Sequence, residues 1–155
     1  MKVIYFCRHP NPADDAAYGV QSVSMEELLK ESDYVVAAVP LTDQTFHLFN
    51  EERIAQMKAG TVLINIARGP VVDEEALAQA LASGHLGGCA VDVFPKEPCT
   101  NSVLTRYANA LLTPHSATST AENSKATNFA AANNLVNYLK KDIDAKYVVV
   151  QGTRY

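Results

Sequence analysis

TVLINIARGPVVDEEALAQALASGHLGGCAVD, residues 61–92, holds the alternation from which the rest of the chain can be read. Thr61-Val62-Leu63-Ile64-Asn65 is a short, solidly apolar strand. Asp73 then offers a side-chain oxygen to the first N–H groups of a helix over 74–82, and Gly84 stops it. Gly88-Cys89-Ala90-Val91-Asp92 is a second strand. Two apolar runs joined by a capped helix make a βαβ unit, whose strands lie parallel in one sheet.

The same alternation extends in both directions. Upstream, Val3-Ile4-Tyr5-Phe6-Cys7 and Tyr34-Val35-Val36-Ala37-Ala38-Val39 are strand-like. Between them Ser24 caps a helix, Glu27 completes a capping box, and Val23 with Leu28 forms a hydrophobic staple. Asn50 caps a helix through Lys58, with Phe49 and Ile54 as the staple and Gly60 as the stop. Downstream, Ala110-Leu111-Leu112-Thr113 is a further strand. A long helix over 120–140 follows, with Phe129, Ala132, Val136 and Leu139 on one face. Solidly apolar strands imply a sheet covered on both faces, as in parallel sheets flanked by helices. The expected fold is therefore a doubly wound α/β domain over residues 1–141, with 142–155 as a tail. Residues 147–155 are strand-like but suggest no function.

Composition narrows the partners. The 155 residues are 48% hydrophobic and 19% charged, with a net charge of -4. That is ordinary for a globular domain and gives no basis for a nucleic-acid or anionic-membrane partner. No apolar run approaches the ~20 residues of a membrane span, and the N-terminal run is too short for a signal peptide. Cys7, Cys89 and Cys99 are an odd set without paired spacing, which argues for a reducing, cytoplasmic setting and no disulfide framework. Cys7 and Cys89 are expected to be buried small hydrophobes. No residue grouping calls for a metal. His47 and His85 stand without a supporting constellation and read as surface residues.

Chemistry gathers where open α/β sheets bind ligands, beyond the carboxyl ends of the strands. Arg8 and His9 follow the first run, Pro40 the second, and Ala67-Arg68-Gly69 the third. Asp92 ends the fourth, with Glu97 close behind, and His115 follows the fifth. Each alone reads as a solvated charge or a structural histidine. Their convergence on one rim is what points to a site.

Three stretches on that rim are specific. Asn65-Ile66-Ala67-Arg68-Gly69-Pro70-Val71-Val72-Asp73, Ala90-Val91-Asp92-Val93-Phe94-Pro95-Lys96-Glu97-Pro98 and Thr113-Pro114-His115-Ser116-Ala117 follow one another in order. In order and spacing they resemble the motifs of the D-isomer-specific 2-hydroxyacid dehydrogenases, and most nearly those of the glyoxylate/hydroxypyruvate reductases. The resemblance runs to about Lys141. It implies a Rossmann-type NAD(P)-binding domain and hydride transfer to a small 2-oxo acid or from a 2-hydroxy acid. It also implies roles: His115 as general acid/base, Glu97 on its other imidazole nitrogen, and Arg68 as the clamp on the substrate carboxylate. A carboxylate beside an imidazolium favours the charged form. The planar guanidinium suits a carboxylate better than an ammonium does. Asp92, Pro40, Ile66, Ala67, Ser116 and Ala117 would surround the nicotinamide and ribose.

Cofactor choice is read at the end of the first strand. NAD-preferring domains carry a carboxylate there for the ribose 2′-hydroxyl. This chain has Cys7 followed by Arg8, His9, Pro10 and Asn11, so NADP(H) is expected over NAD(H), with Arg8 on the 2′-phosphate. No G-x-G-x-x-G occurs in the sequence. In the family it precedes the equivalent of Val3, so the expected fold lacks its first strand and Gly-rich loop. The strands at Val3, Tyr34 and Val62 would then each be short of a neighbour, unless the two halves re-pair. The partner readings are a homodimer or a complementing N-terminal segment. A non-catalytic product or an interaction module of the same family stands as the alternative function.

Overall fold

The computed structural model describes residues 1–144 and residue 147. The strand-like reading of the tail therefore falls, apart from Tyr147, outside the described residues. The chain divides into two compact units, Met1–His115 and a second that begins at Ser116.

In the first unit the order is β1 (Ile4–Tyr5), α1 (Pro12–Tyr18), β2 (Gln21–Ser22), α2 (Met25–Glu31), β3 (Tyr34–Ala37), α3 (Glu51–Ala55), β4 (Val62–Asn65), α4 (Glu74–Ala82), β5 (Gly88–Val91) and β6 (Ala110–Leu112). Side-chain caps set the expected helix starts. Ser24 Oγ accepts from Glu27 N at 3.1 Å, and Asn50 Oδ1 from Arg53 N at 3.0 Å. Asp73 Oδ1 accepts from the amides of Glu75 and Ala76. The sequence reading passed over α1 and β2, which are short. Asn11 caps α1, Pro12 opens it, and Gly19 closes it at φ 63°.

All pairings are parallel. The main sheet runs β3-β4-β5-β6, and β1 pairs with β2 in a separate ribbon. One expectation about pairing is corrected here, and one open alternative is decided. The strand at Val62 is not short of a neighbour: β4 lies between β3 and β5, with Val62 opposite Tyr34 and Gly88. Each crossover returns the chain one position along the sheet, so β4 gains partners from both adjacent βαβ units. Nor do the two halves re-pair, because β1 and β3 belong to different sheets.

Burial alternates, which is the other correction. Val35, Ala37, Leu63, Cys89 and Val91 pack with Leu29 of α2, Ile54 of α3 and Leu77 and Leu81 of α4 in one cluster. Full burial of a leucine such as Leu29, Leu63 or Leu77 stabilises by roughly 1.5–3 kcal/mol. On the opposite face, in register, Val36, Ile64, Ala90 and Leu111 form a row, and Val36 and Leu111 remain exposed. Successive side chains of a strand point to opposite faces. A solidly apolar run therefore shows that both faces could be buried, and within the first unit the face toward α2, α3 and α4 is the more deeply buried one. Cys7 is exposed as well, because β1 ends two residues before it, while Cys89 is buried as expected. Burial pushes the Cys89 thiol up to about 11. His47 and His85 are more than surface residues. His47 Nδ1 lies 3.6 Å from Asp73, and the ring stacks on Phe46. His85 Nε2 meets the Ile54 carbonyl at 3.1 Å.

In the second unit, Thr120 caps α5 (Ala121–Leu139), one residue inside the expected span at each end. None of its residues is buried, and Phe129, Val136 and Leu139 are exposed. No helix among the described residues is long and apolar enough to cross a membrane.

Candidate active site at the carboxyl ends of the strands

The turn after β4 carries Arg68. Its backbone is extended, at φ -145° and ψ 148°, and leads into a 3₁₀ turn over Gly69–Val71. The guanidinium donates from Nη1 to the Ala67 carbonyl at 2.6 Å, and the residue remains exposed. Beneath it Gly69 lies against the backbone of Phe94 and Pro95, so the turns after β4 and β5 touch directly.

The turn after β5 supplies two carboxylates. Asp92 is buried, its amide donates to the Asn65 carbonyl, and its Oδ1 accepts from the Thr113 hydroxyl beyond β6. Glu97 lies further out. Its Oε1 accepts from the Phe94 amide at 2.9 Å, and its Oε2 lies 2.7 Å from His115 Nδ1. The hydrogen bond to His115 holds the Glu97 carboxyl below its ordinary range, helped by the Phe94 amide and by the charges of His115 and Arg68.

His115 sits just past β6 with φ 52°, a left-handed conformation that costs a non-glycine residue of order 1–3 kcal/mol and recurs at functional sites. Its amide donates to the Thr113 carbonyl at 3.0 Å. With Nδ1 engaged by Glu97, Nε2 is the ring nitrogen left to exchange a proton with a ligand.

The remaining candidates fall into other groups. Arg8, His9 and Pro40 line one cleft of ≈620 Å³ together with Phe6, Val36 and Thr45. Pro10 is exposed outside that lining, and Asn11 accepts from the Ala13 amide as the α1 cap. Ile66 is exposed and donates its amide to the Ala37 carbonyl, while Ala67 is buried. Ser116 and Ala117 begin the second unit. Sequence reading missed three contributors. Asn65 is buried beneath the Arg68 turn, Thr113 holds Asp92, and the Thr45 hydroxyl donates to the Pro40 carbonyl at 2.6 Å, shaping the cleft rim. Asn65 was quoted inside its motif without a role, and a polar residue closing an apolar strand was the available signal.

Comparison with known proteins gives a consistent picture. Residues 1–117 match the profile of the D-isomer specific 2-hydroxyacid dehydrogenase, NAD binding domain. A glyoxylate reductase of Pyrococcus furiosus is 41% identical over 143 residues, which are 92% of this chain and 43% of the relative. Glyoxylate/hydroxypyruvate reductase B of Yersinia pestis is 38% identical over 90% of this chain and 43% of its own length. Among solved structures, a glyoxylate reductase from Paecilomyes thermophila superposes with a TM-score of 0.85 at 36% identity, covering 91% of this chain and 43% of that one. A D-lactate dehydrogenase from Aquifex aeolicus, complexed with NAD and lactic acid, gives 0.83 at 34% identity, over 92% of this chain and 47% of that one. The chain spans less than half the length of these relatives.

Proposed function

The chain belongs to the D-isomer specific 2-hydroxyacid dehydrogenases, and from that premise we propose that it forms the catalytic face of a reductase acting on a small 2-oxo acid such as glyoxylate or hydroxypyruvate. The observation that carries this reading is the 2.7 Å contact between His115 Nδ1 and Glu97, beside the Phe94–Pro95 backbone against which the Arg68–Gly69 turn packs.

A bound nicotinamide dinucleotide supplies the hydride. The residues here suit such a group: Arg8 and His9 follow the end of β1, and no carboxylate stands among Cys7, Arg8, His9, Pro10 and Asn11 to repel a phosphate. The rest belongs to this chain. Arg68 holds the substrate carboxylate through paired N–H donors and orients the adjacent carbonyl. His115 delivers a proton from Nε2 to the carbonyl oxygen as that oxygen gains negative charge, and takes it back in the oxidative direction. Glu97 fixes the ring through Nδ1 and so aims Nε2. Asp92, held by Thr113 and by the Asn65 carbonyl, supplies a rigid polar wall.

The test is NADPH oxidation dependent on glyoxylate or hydroxypyruvate, followed in the full-length protein. Arg68→Ala should lower kcat/KM by roughly 10²-fold or more, the scale of losing a charged hydrogen-bonding pair together with the orientation it provides. An Arg68→Ala variant with undiminished turnover rules out the clamp.

The cofactor preference forms part of the same reading: NADP(H) over NAD(H), with Arg8 as the 2′-phosphate partner. Arg8→Ser is expected to weaken NADPH binding roughly tenfold and to leave NADH nearly unchanged, since only NADPH carries the phosphate. Fluorescence titration with both dinucleotides reads this directly, and equal affinities in the unsubstituted protein defeat it. The proposal includes a cytoplasmic setting. It also includes a homodimer or a complementing N-terminal segment as the partner.

A further inference from the structure

Asn65 is the last residue of β4 and is 1% exposed. Its side chain points to the buried face, in the alternating row that includes Leu63. An amide in that position is costly unless both its ends are paired. Both are: Oδ1 accepts from the Ala67 amide at 3.0 Å, and Nδ2 donates to the Arg68 carbonyl at 3.1 Å. From the other side, the Arg68 guanidinium donates to the Ala67 carbonyl. The two side chains therefore grip the same three-residue turn from below and from above. The Asn65 carbonyl also accepts from the Asp92 amide, which ties the grip to the next strand.

We propose that Asn65 is a positioning residue for substrate binding: its buried amide sets the direction in which Arg68 leaves the sheet, and so the placement of the guanidinium that holds the 2-oxo acid carboxylate. The inference rests on the role proposed for Arg68. No hydrophobic residue of similar size reproduces both bonds. Aspartate matches the shape but places a carboxylate oxygen where the amide donates to the Arg68 carbonyl, so it repels that carbonyl and adds a buried charge.

The experiment is a double-mutant cycle in the full-length protein, with Asn65→Asp, Arg68→Ala and both together. Asn65→Asp should raise KM for the 2-oxo acid at least tenfold while changing the Kd for NADPH less than twofold, because Arg8 and its cleft lie elsewhere. On the Arg68→Ala background the same change should add less than twofold, because the group it positions is gone. A residue that merely stabilises the domain would multiply its effect independently of Arg68. Full multiplicativity, or equal losses in NADPH and 2-oxo acid binding, overturns the inference. The Ala67 amide offers a readout without turnover: in Asn65→Ala its hydrogen exchange should accelerate at least tenfold relative to core amides of β4. Unchanged exchange overturns the tether. If Arg68→Ala alone leaves turnover intact, the proposed role of Arg68 fails and this inference fails with it. If Arg68→Ala is impaired while Asn65→Asp behaves as wild type, only the inference is lost.

Discussion

Replacing His115 by Gln is expected to lower kcat for 2-oxo acid reduction by roughly 10²–10⁴-fold, the range contributed by a positioned general acid. KM for the substrate should change little, because the proposed clamp on the carboxylate is Arg68 and not the imidazole. Glutamine keeps a hydrogen-bonding group near Glu97 but cannot deliver a proton at the carbonyl oxygen. A His115→Gln variant within threefold of the unsubstituted rate would show that the proton comes from elsewhere. The pH profile gives a second reading of the dyad. Glu97 is held below the ordinary carboxylate range, first by its hydrogen bond to His115 and then by the Phe94 amide. A depressed acid contributes when ionised: the pair is intact above the usual glutamate pKa of ~4.3 and is lost only as pH falls through the lowered value. The acid limb assigned to Glu97 should therefore lie below ~4.3, and Glu97→Gln should abolish it. An acid limb at the ordinary value would mean that the contact does not persist in solution.

Among the described glycines, Gly69 should tolerate an added methyl least, in Gly69→Ala. A Cβ built there would meet Phe94 C at 2.0 Å, Pro95 N at 2.2 Å and Phe94 O at 2.3 Å, all backbone atoms. No rotamer relieves such an overlap, so one of the two turns must move. Overpacking of this kind costs about 1–3 kcal/mol, occasionally more. At roughly 2–4 °C per kcal/mol for a chain of this size, a fall in Tm of roughly 2–12 °C is expected. The functional loss should exceed what the melting shift explains. Gly69 adjoins Arg68, Phe94 donates its amide to Glu97, and separating the turns separates the clamp from the dyad. Calorimetry together with turnover checks both halves. A variant with unchanged Tm and unchanged kcat/KM would mean that the close approach is absent.

Much of this architecture depends on chemistry within a few residues, and that part was legible beforehand. The capping oxygens of Ser24, Asn50 and Asp73 each lie within three residues of the amides they serve, so those helix starts could be read directly. The apolar runs at Val62, Gly88 and Ala110 located three strands of the main sheet within a residue of their observed ends. Arg68, Glu97 and His115 were named through resemblance to a family whose motifs they complete, not through spacing alone. What local pattern could not convey was how each strand's apolar character would be used. Tyr34, Val35, Val36 and Ala37 look alike as a run, yet Val35 and Ala37 are buried while Tyr34 and Val36 are exposed. The difference lies in which side chains face α2, α3 and α4.

Residue identity and short-range periodicity, then, determined where the elements form and which residues are equipped for chemistry, because capping, turn geometry and apolar patterning act over one or two helical turns. Tertiary structure alone decided that Gly69 must admit the Phe94–Pro95 backbone, that Thr113 holds Asp92, and that Asn65 faces inward to support the Arg68 turn. The first two join residues on different turns, and the third depends on which face of β4 is buried. Their energies depend on ångström-scale approach set by strand register, a quantity no window of sequence contains.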